Sequence, residues 1–238
     1  MILLERPSDT VGIGQAAHAW VSGRLARHWG NDAFQRPEPF EDVCLGATLH
    51  DIGMSEWDLH PQLDPDTGFP KSFVRMAQDV HLELWQRAPE KVLTASPYAA
   101  LLVSMHGQAL FEGKADRPGV QDYLDSQANF QLDLKRHLDE SDENARRNQL
   151  LVWAVDYLAL AALTGWTPST VPAPQRRITA TERAPLHLAV DPWPFDTDAI
   201  TLGYPGRVLT LPSETEEELH HRLAVAPWTT VDVTWTPA

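Results

Sequence analysis

Along this chain, apolar stripes of helical period are each broken once by a side chain that can bind a metal. His18 lies between Gly14 and Val21/Leu25, His81 between Ala77 and Leu84, His106 between Leu102/Val103 and Leu110, and Asp156 between Val152/Trp153 and Leu160. The spacings are three and four residues, so each polar group should point where its apolar neighbours point, into a core. The pair His50-Asp51 closes a further apolar stretch, in Leu49-His50-Asp51-Ile52-Gly53. Burying a neutral polar group without a partner costs about 2–7 kcal/mol, and a carboxylate more. Several such interruptions in one core need a shared compensation, and a metal centre supplies it, with neutral imidazoles donating and carboxylates bringing charge. This oxygen and nitrogen donor set suits one or two ions of iron, manganese or zinc, and admits magnesium. Taken singly, each histidine also reads as a hydrogen-bonded core residue, and Asp156 as an interhelical bond. His81 also reads as a solvated helix-border residue beside Asp79 and Glu83.

The same periodicity predicts helices over Ile13–Trp29, Phe40–Ile52, Ser72–Arg87, Pro97–Phe111, Val120–Asp139 and Asp142–Thr164. An irregular stretch, Met54–Lys71, follows the His-Asp pair. Beyond Gly165 the prolines 168, 172 and 174 mark a change of architecture. Strand patterns follow at Arg177–Thr181, Leu186–Val190, Ala199–Leu202, Arg207–Leu211 and Val231–Trp235, with an acidic helix over Ser213–Val225. The expected fold is therefore mainly α. Residues 1–170 form a helical metal-binding domain, and residues 171–238 form a small C-terminal β-rich extension packed on it.

The 238 residues carry 19 basic and 33 acidic side chains, a net charge of −14. That balance argues against nucleic acid as a partner. No apolar run reaches membrane-spanning length, and the first seven residues are too short and too charged for a signal peptide. The single cysteine, Cys44, reads as a small core residue. The expected setting is the cytoplasm. A negative chain that takes an anionic small molecule needs a local positive site, and a metal cluster would be one. The tail tryptophans Trp193, Trp228 and Trp235 are open to two readings, a seam against the helices or the contact of a homodimer.

The order His18, His50-Asp51, Asp156 resembles that of the HD superfamily, named after its His-Asp pair. Members of that superfamily with two metals add two histidines between the pair and the last Asp, where His81 and His106 stand here. Within it the chain resembles the DUF3891 type. The matching stretches are Gln15-Ala16-Ala17-His18-Ala19, Ser22-Gly23-Arg24-Leu25-Ala26, Trp29-Gly30-Asn31, His50-Asp51-Ile52-Gly53, Trp57-Asp58, Leu101-Leu102-Val103-Ser104-Met105-His106 and Asp191-Pro192-Trp193-Pro194-Phe195. The resemblance implies an HD-type antiparallel helical core. It also implies metal-dependent phosphohydrolase chemistry on a small phosphoester or related anion. Two alternatives accompany it: a mixed-valent di-iron oxygenase acting on a small polyol or phosphonate, and a non-catalytic HD-fold binding module.

In the hydrolytic reading Asp51 is the catalytic carboxylate, bridging two metals or orienting the attacking water. His18, His50 and Asp156 complete one metal site, and His81 and His106 hold the other. Substrate contacts are expected from Trp57, Asp58 and Lys71 in the loop behind the pair. Gln15, one turn before His18, is expected to hydrogen-bond a metal-bound water or a neighbouring group.

Overall fold

The first two strands come from a stretch that shows no strand periodicity. In the computed structural model, which describes residues 1–238, β1 (Ile2–Glu5) and β2 (Thr10–Ile13) form a hairpin. Its turn is closed by main-chain hydrogen bonds between Arg6 and Asp9. All four residues of β2 are buried, so no alternation betrays the strand. The chain then forms helices α1 (Gln15–His28), α2 (Phe40–Leu49), α3 (Ser55–Leu59), α4 (Gln78–Leu93), α5 (Pro97–Phe111), α6 (Val120–Leu138) and α7 (Asp142–Thr164). After α7 come β3 (Ser169–Val171), β4 (Ile178–Ala184), β5 (His187–Asp191), β6 (Ile200–Leu209), the helix α8 (Glu216–Val225) and β7 (Trp228–Pro237).

These strands make one seven-stranded sheet in the order β1-β2-β6-β7-β5-β4-β3. Its pairings are antiparallel except for β5 beside β7. The expectation of a mainly α, HD-type helical core with a small C-terminal β extension is thereby overturned. The chain is about 50% helix and 21% strand, and it is not all-α. The sheet is mixed and draws on both ends of the sequence, because Thr10–Ile13 pairs with Gly206–Leu209. The stretches expected as two strands, Ala199–Leu202 and Arg207–Leu211, are one. Gly203 and Pro205 read as a break, yet Pro205 sits just before the position where β2 joins β6, at the end of that pairing.

The sheet packs on α1 and α7, and buried residues of both layers form one continuous core with α2. Two side chains of the sheet bond directly to main-chain oxygens of α7. The Tyr204 hydroxyl donates to Ala159 O at 2.8 Å, and Trp235 Nε1 donates to Leu158 O at 3.0 Å. Both acceptors lie within one turn of Asp156, so the sheet sets the rotation of the helix that carries it. A second, smaller core joins α4, α5 and α6. No helix is long and apolar enough to cross a membrane. Of the tail tryptophans, Trp235 is buried in the core, Trp193 packs on its edge, and Trp228 is 67% exposed.

Candidate metal centre

Two adjacent residues of a continuous helix point about 100° apart. His50 and Asp51 nevertheless converge, because α2 ends at Leu49. His50 is the last residue with helical angles, and Asp51, at φ −99° and ψ 16°, begins the short 3-10 turn Ile52–Met54. Two glycines let the neighbouring helices close on this turn. A Cβ on Gly23 of α1 would lie 1.9 Å from Thr48 Oγ1 of α2. A Cβ on Gly53 would lie 2.5 Å from Leu84 O of α4. Any side chain at either position would push apart the helices that carry His18, His50 and His81.

His18, His50, Asp51, His106 and Asp156 meet in the interior, each at most 8% exposed. His18 Nε2 stands 2.8 Å from Asp156 Oδ1, and its Nδ1 stands 3.1 Å from Asp51 Oδ2. His50 Nε2 lies 3.6 Å from Asp51 Oδ2 and 3.4 Å from Asp156 Oδ1. His106 Nε2 lies 3.6 Å from Asp156 Oδ2. Two donor triads result, His18/His50/Asp51 and His50/His106/Asp156, each with its ligand atoms within 4.8 Å of one another.

The main chain decides which nitrogen of His50 is free. Its Nδ1 lies 2.7 Å from Ala47 O and donates to it. In the neutral ring, Nε2 is then a bare lone pair aimed at two buried carboxylates, and it has no hydrogen-bond partner. Carbonyl-anchored imidazoles of this kind are pre-set for a metal at the other nitrogen. Either triad therefore has a donor set that fits a divalent ion, and the two share His50 Nε2.

The electrostatics agree. Burial opposes a charge on His18, but the carboxylates of Asp156 and Asp51 outweigh it and lift its pKa to about 10. Burial likewise opposes charge on His50, and Asp51 and Asp156 raise it. Burial also opposes ionisation of Asp156, but His18 and His50 hold it far below the usual carboxylate range. Asp51 is lowered in the same way by His50 and His18. His106 behaves differently: burial, reinforced by the charge of His50, brings it down to about 4.

A cavity of about 70 Å³ adjoins the centre. Gln15, Asp51, His81, His106 and Asp156 form its polar lining. Met54, Phe73, Trp85, Leu110 and Leu160 form the apolar remainder. Gln15 is 3% exposed, and its Oε1 has no partner. His81 lies at the rim, half-buried, between the rings of Phe111 at 5.4 Å and Trp85 at 6.2 Å. Burial lowers its pKa.

The loop residues are placed elsewhere. Asp58 caps the first turn of α1 by accepting from the Gln15 main-chain N–H, and it pairs with the Met1 ammonium at 2.8 Å. Trp57 is buried, and Lys71 Nζ donates to Gln62 Oε1 at 3.1 Å. None of the three lines the cavity. Trp153, which reads as a core residue of the Asp156 stripe, and Trp85, to which the sequence assigns no role, have rings 5.4 and 5.7 Å from that of His106. Their spacing was the available signal: Trp85 is four residues after His81, and Trp153 three before Asp156.

The model of a family described as a protein of unknown function, DUF3891, matches residues 1–211. The chain belongs to the DUF3891 family. The match runs from the β1–β2 hairpin through His18, His50, Asp51, His81, His106 and Asp156 to the end of β6, so the cluster and six of the seven strands fall inside the matched region, and α8 and β7 follow it. No curated protein and no solved structure matches the chain.

Proposed function

We propose that this DUF3891 protein is a metal-dependent hydrolase acting on a small phosphoester or related anionic substrate. The observation that carries the reading is His50 Nε2, which has no hydrogen-bond partner and faces two buried carboxylates. A bound divalent ion would supply a water of lowered pKa and positive charge for a phosphoryl oxygen. Asp51 has a carboxylate that both belongs to a donor triad and lines the cavity, so it would help hold the ion and orient that water. Gln15 Oε1 accepts a hydrogen bond from the same water or from the substrate. Trp85, Phe73 and Met54 keep bulk solvent out. A cavity of about 70 Å³ holds no more than a few waters or one small anion. Kinship with the HD superfamily is proposed on the order of the donors alone.

One observation favours a second reading, the di-iron oxygenase. No lysine or arginine lines the cavity, and half of its lining is apolar. Metal analysis of protein purified without chelator comes first. About two ions per chain are expected, by analogy with two-metal sites; none after reconstitution with iron, manganese and zinc would sink both readings. Phosphomonoester turnover with manganese under argon then supports the hydrolase. Turnover that needs oxygen, with an electron-spin resonance signal from a mixed-valent iron pair, supports the oxygenase.

A further inference from the structure

The largest side chain on the centre's α7 stripe has a second face. Arg146, Gln149, Trp153 and Asp156 recur at spacings of three, four and three, so they lie along one side of α7. Arg146 and Asp156 are then about 15 Å apart along the axis. Asp156 lines the small cavity at the metal centre, while Arg146, Gln149 and Trp153 line a separate cleft of about 570 Å³ between α5 and α7. That volume lies in the range of small-molecule sites. Trp153 lies between the two spaces, lining the cleft and packing against His106 at 5.4 Å.

The cleft carries two unspent polar groups. Gln149 is only 9% exposed, yet its amide has no hydrogen-bond partner in the chain. Arg146 has no carboxylate within 4.0 Å, although Glu112 and Asp142 line the same cleft. Asp142 is engaged by Lys135 Nζ, and Glu112 is exposed at the rim. Met105, Ala109 and Leu150 supply apolar wall.

We propose that this cleft is a binding site for a flat aromatic anion. The ring lies against Trp153, the anionic group meets the Arg146 guanidinium, and the Gln149 amide bonds the ligand's polar edge. A guanidinium and an indole face are a matched pair for such a ligand. The site needs no metal, so its fate is separate from that of the hydrolase reading.

The test uses the full chain after treatment with chelator, with 2-naphthoate as probe and titration calorimetry as readout. Saturable binding of one probe per chain is expected. Arg146→Gln should weaken it about tenfold or more, as loss of a charged hydrogen bond does. Arg146→Lys should restore part of the loss, and Trp153→Leu should weaken binding while Trp153→Phe largely keeps it. The cationic analogue 2-naphthylmethylamine should bind more weakly than the anion. The proposal is overturned if naphthoate does not bind up to its solubility limit, or if Arg146→Gln binds as wild type. It is also overturned if the cation binds as tightly as the anion, which would put Glu112 in control. Circular dichroism of each variant separates lost binding from lost fold, and the conservative variants keep the test decisive if Trp153→Leu does not fold.

Discussion

The helices that share a core with the sheet and α4, which does not, contribute to the cluster in different ways. α1, α2 with its following turn, and α7 bring His18, His50, Asp51 and Asp156, with donor atoms 2.8–3.6 Å apart. On that side, side-chain bonds from Tyr204 and Trp235 hold α7, and the Ala47 carbonyl fixes the His50 tautomer. α4, of the second core, brings His81, and α5, which enters both cores with Tyr98 and Leu102 on the sheet side, brings His106. His81 is held by ring contacts alone, and no carboxylate is paired with it. Precision is thus built where the helices rest on the sheet. The α4 side is left looser, with His81 at the rim of the cavity and its ring outside both donor triads.

The contrast can be broken most directly at Asp156. Asp156→Ala should abolish metal binding and cost about 3–5 kcal/mol of stability, the usual loss when one member of a buried charge cluster is removed. Elemental analysis and denaturant melts check this, and unchanged metal content would refute the division. His81→Ala should remove one of about two ions and shift stability by no more than about 0.5 kcal/mol, since His81 lies at the rim. Unchanged stoichiometry would take His81 out of the donor set.

The pH dependence sharpens the same point. His18, raised from 6.5 to about 10, contributes to the stability of the metal-free protein fully below pH 6.5, and that contribution fades as pH rises towards 10. Asp156, lowered from 3.8, contributes fully above pH 3.8, and its contribution is lost as pH falls below that value. Metal-free stability should therefore peak between these limits. A metal must displace the His18 proton, so metal affinity should rise up to about tenfold per pH unit between 7 and 10. Titrations at several pH values measure this, and a flat profile would exclude His18 as a ligand. The smallest effect is expected at the sheet. Tyr204→Phe should cost about 1 kcal/mol for the lost hydrogen bond and leave the metal content intact. If the metal is lost as well, the sheet does more than hold α7.

His18, His106 and Asp156 are legible as buried polar groups because each interrupts an apolar stripe on a long helix, the His50-Asp51 pair because it closes one, and α5 and α7 match the periodicity to the residue. The periodicity puts the start of the first helix at Ile13, but that residue ends β2, and Gly14 separates the two elements. β1 and β2 are four residues each, too short for a period to register, and their partner lies at the far end of the chain. The acidic helix begins later than its Ser213 signal: Thr215 is the cap, accepting from Glu218 N at 3.2 Å. The expectation for Lys71 rests on its place in the loop behind the pair, and sequence position carries no information about the Gln62 side chain that engages it.

The pairing of β2 with β6 also has a consequence during synthesis. Ile13 meets Gly206 across roughly 190 residues. At about 5–20 residues per second, the hairpin waits on the order of 10–40 s for its neighbour to leave the ribosome. Through that interval Val11 and Ile13, both fully buried in the finished protein, have β1 on one edge and no strand on the other. The nascent chain is then most exposed to misassembly or to capture by chaperones, and the helices bearing the centre exist before the sheet that steadies them.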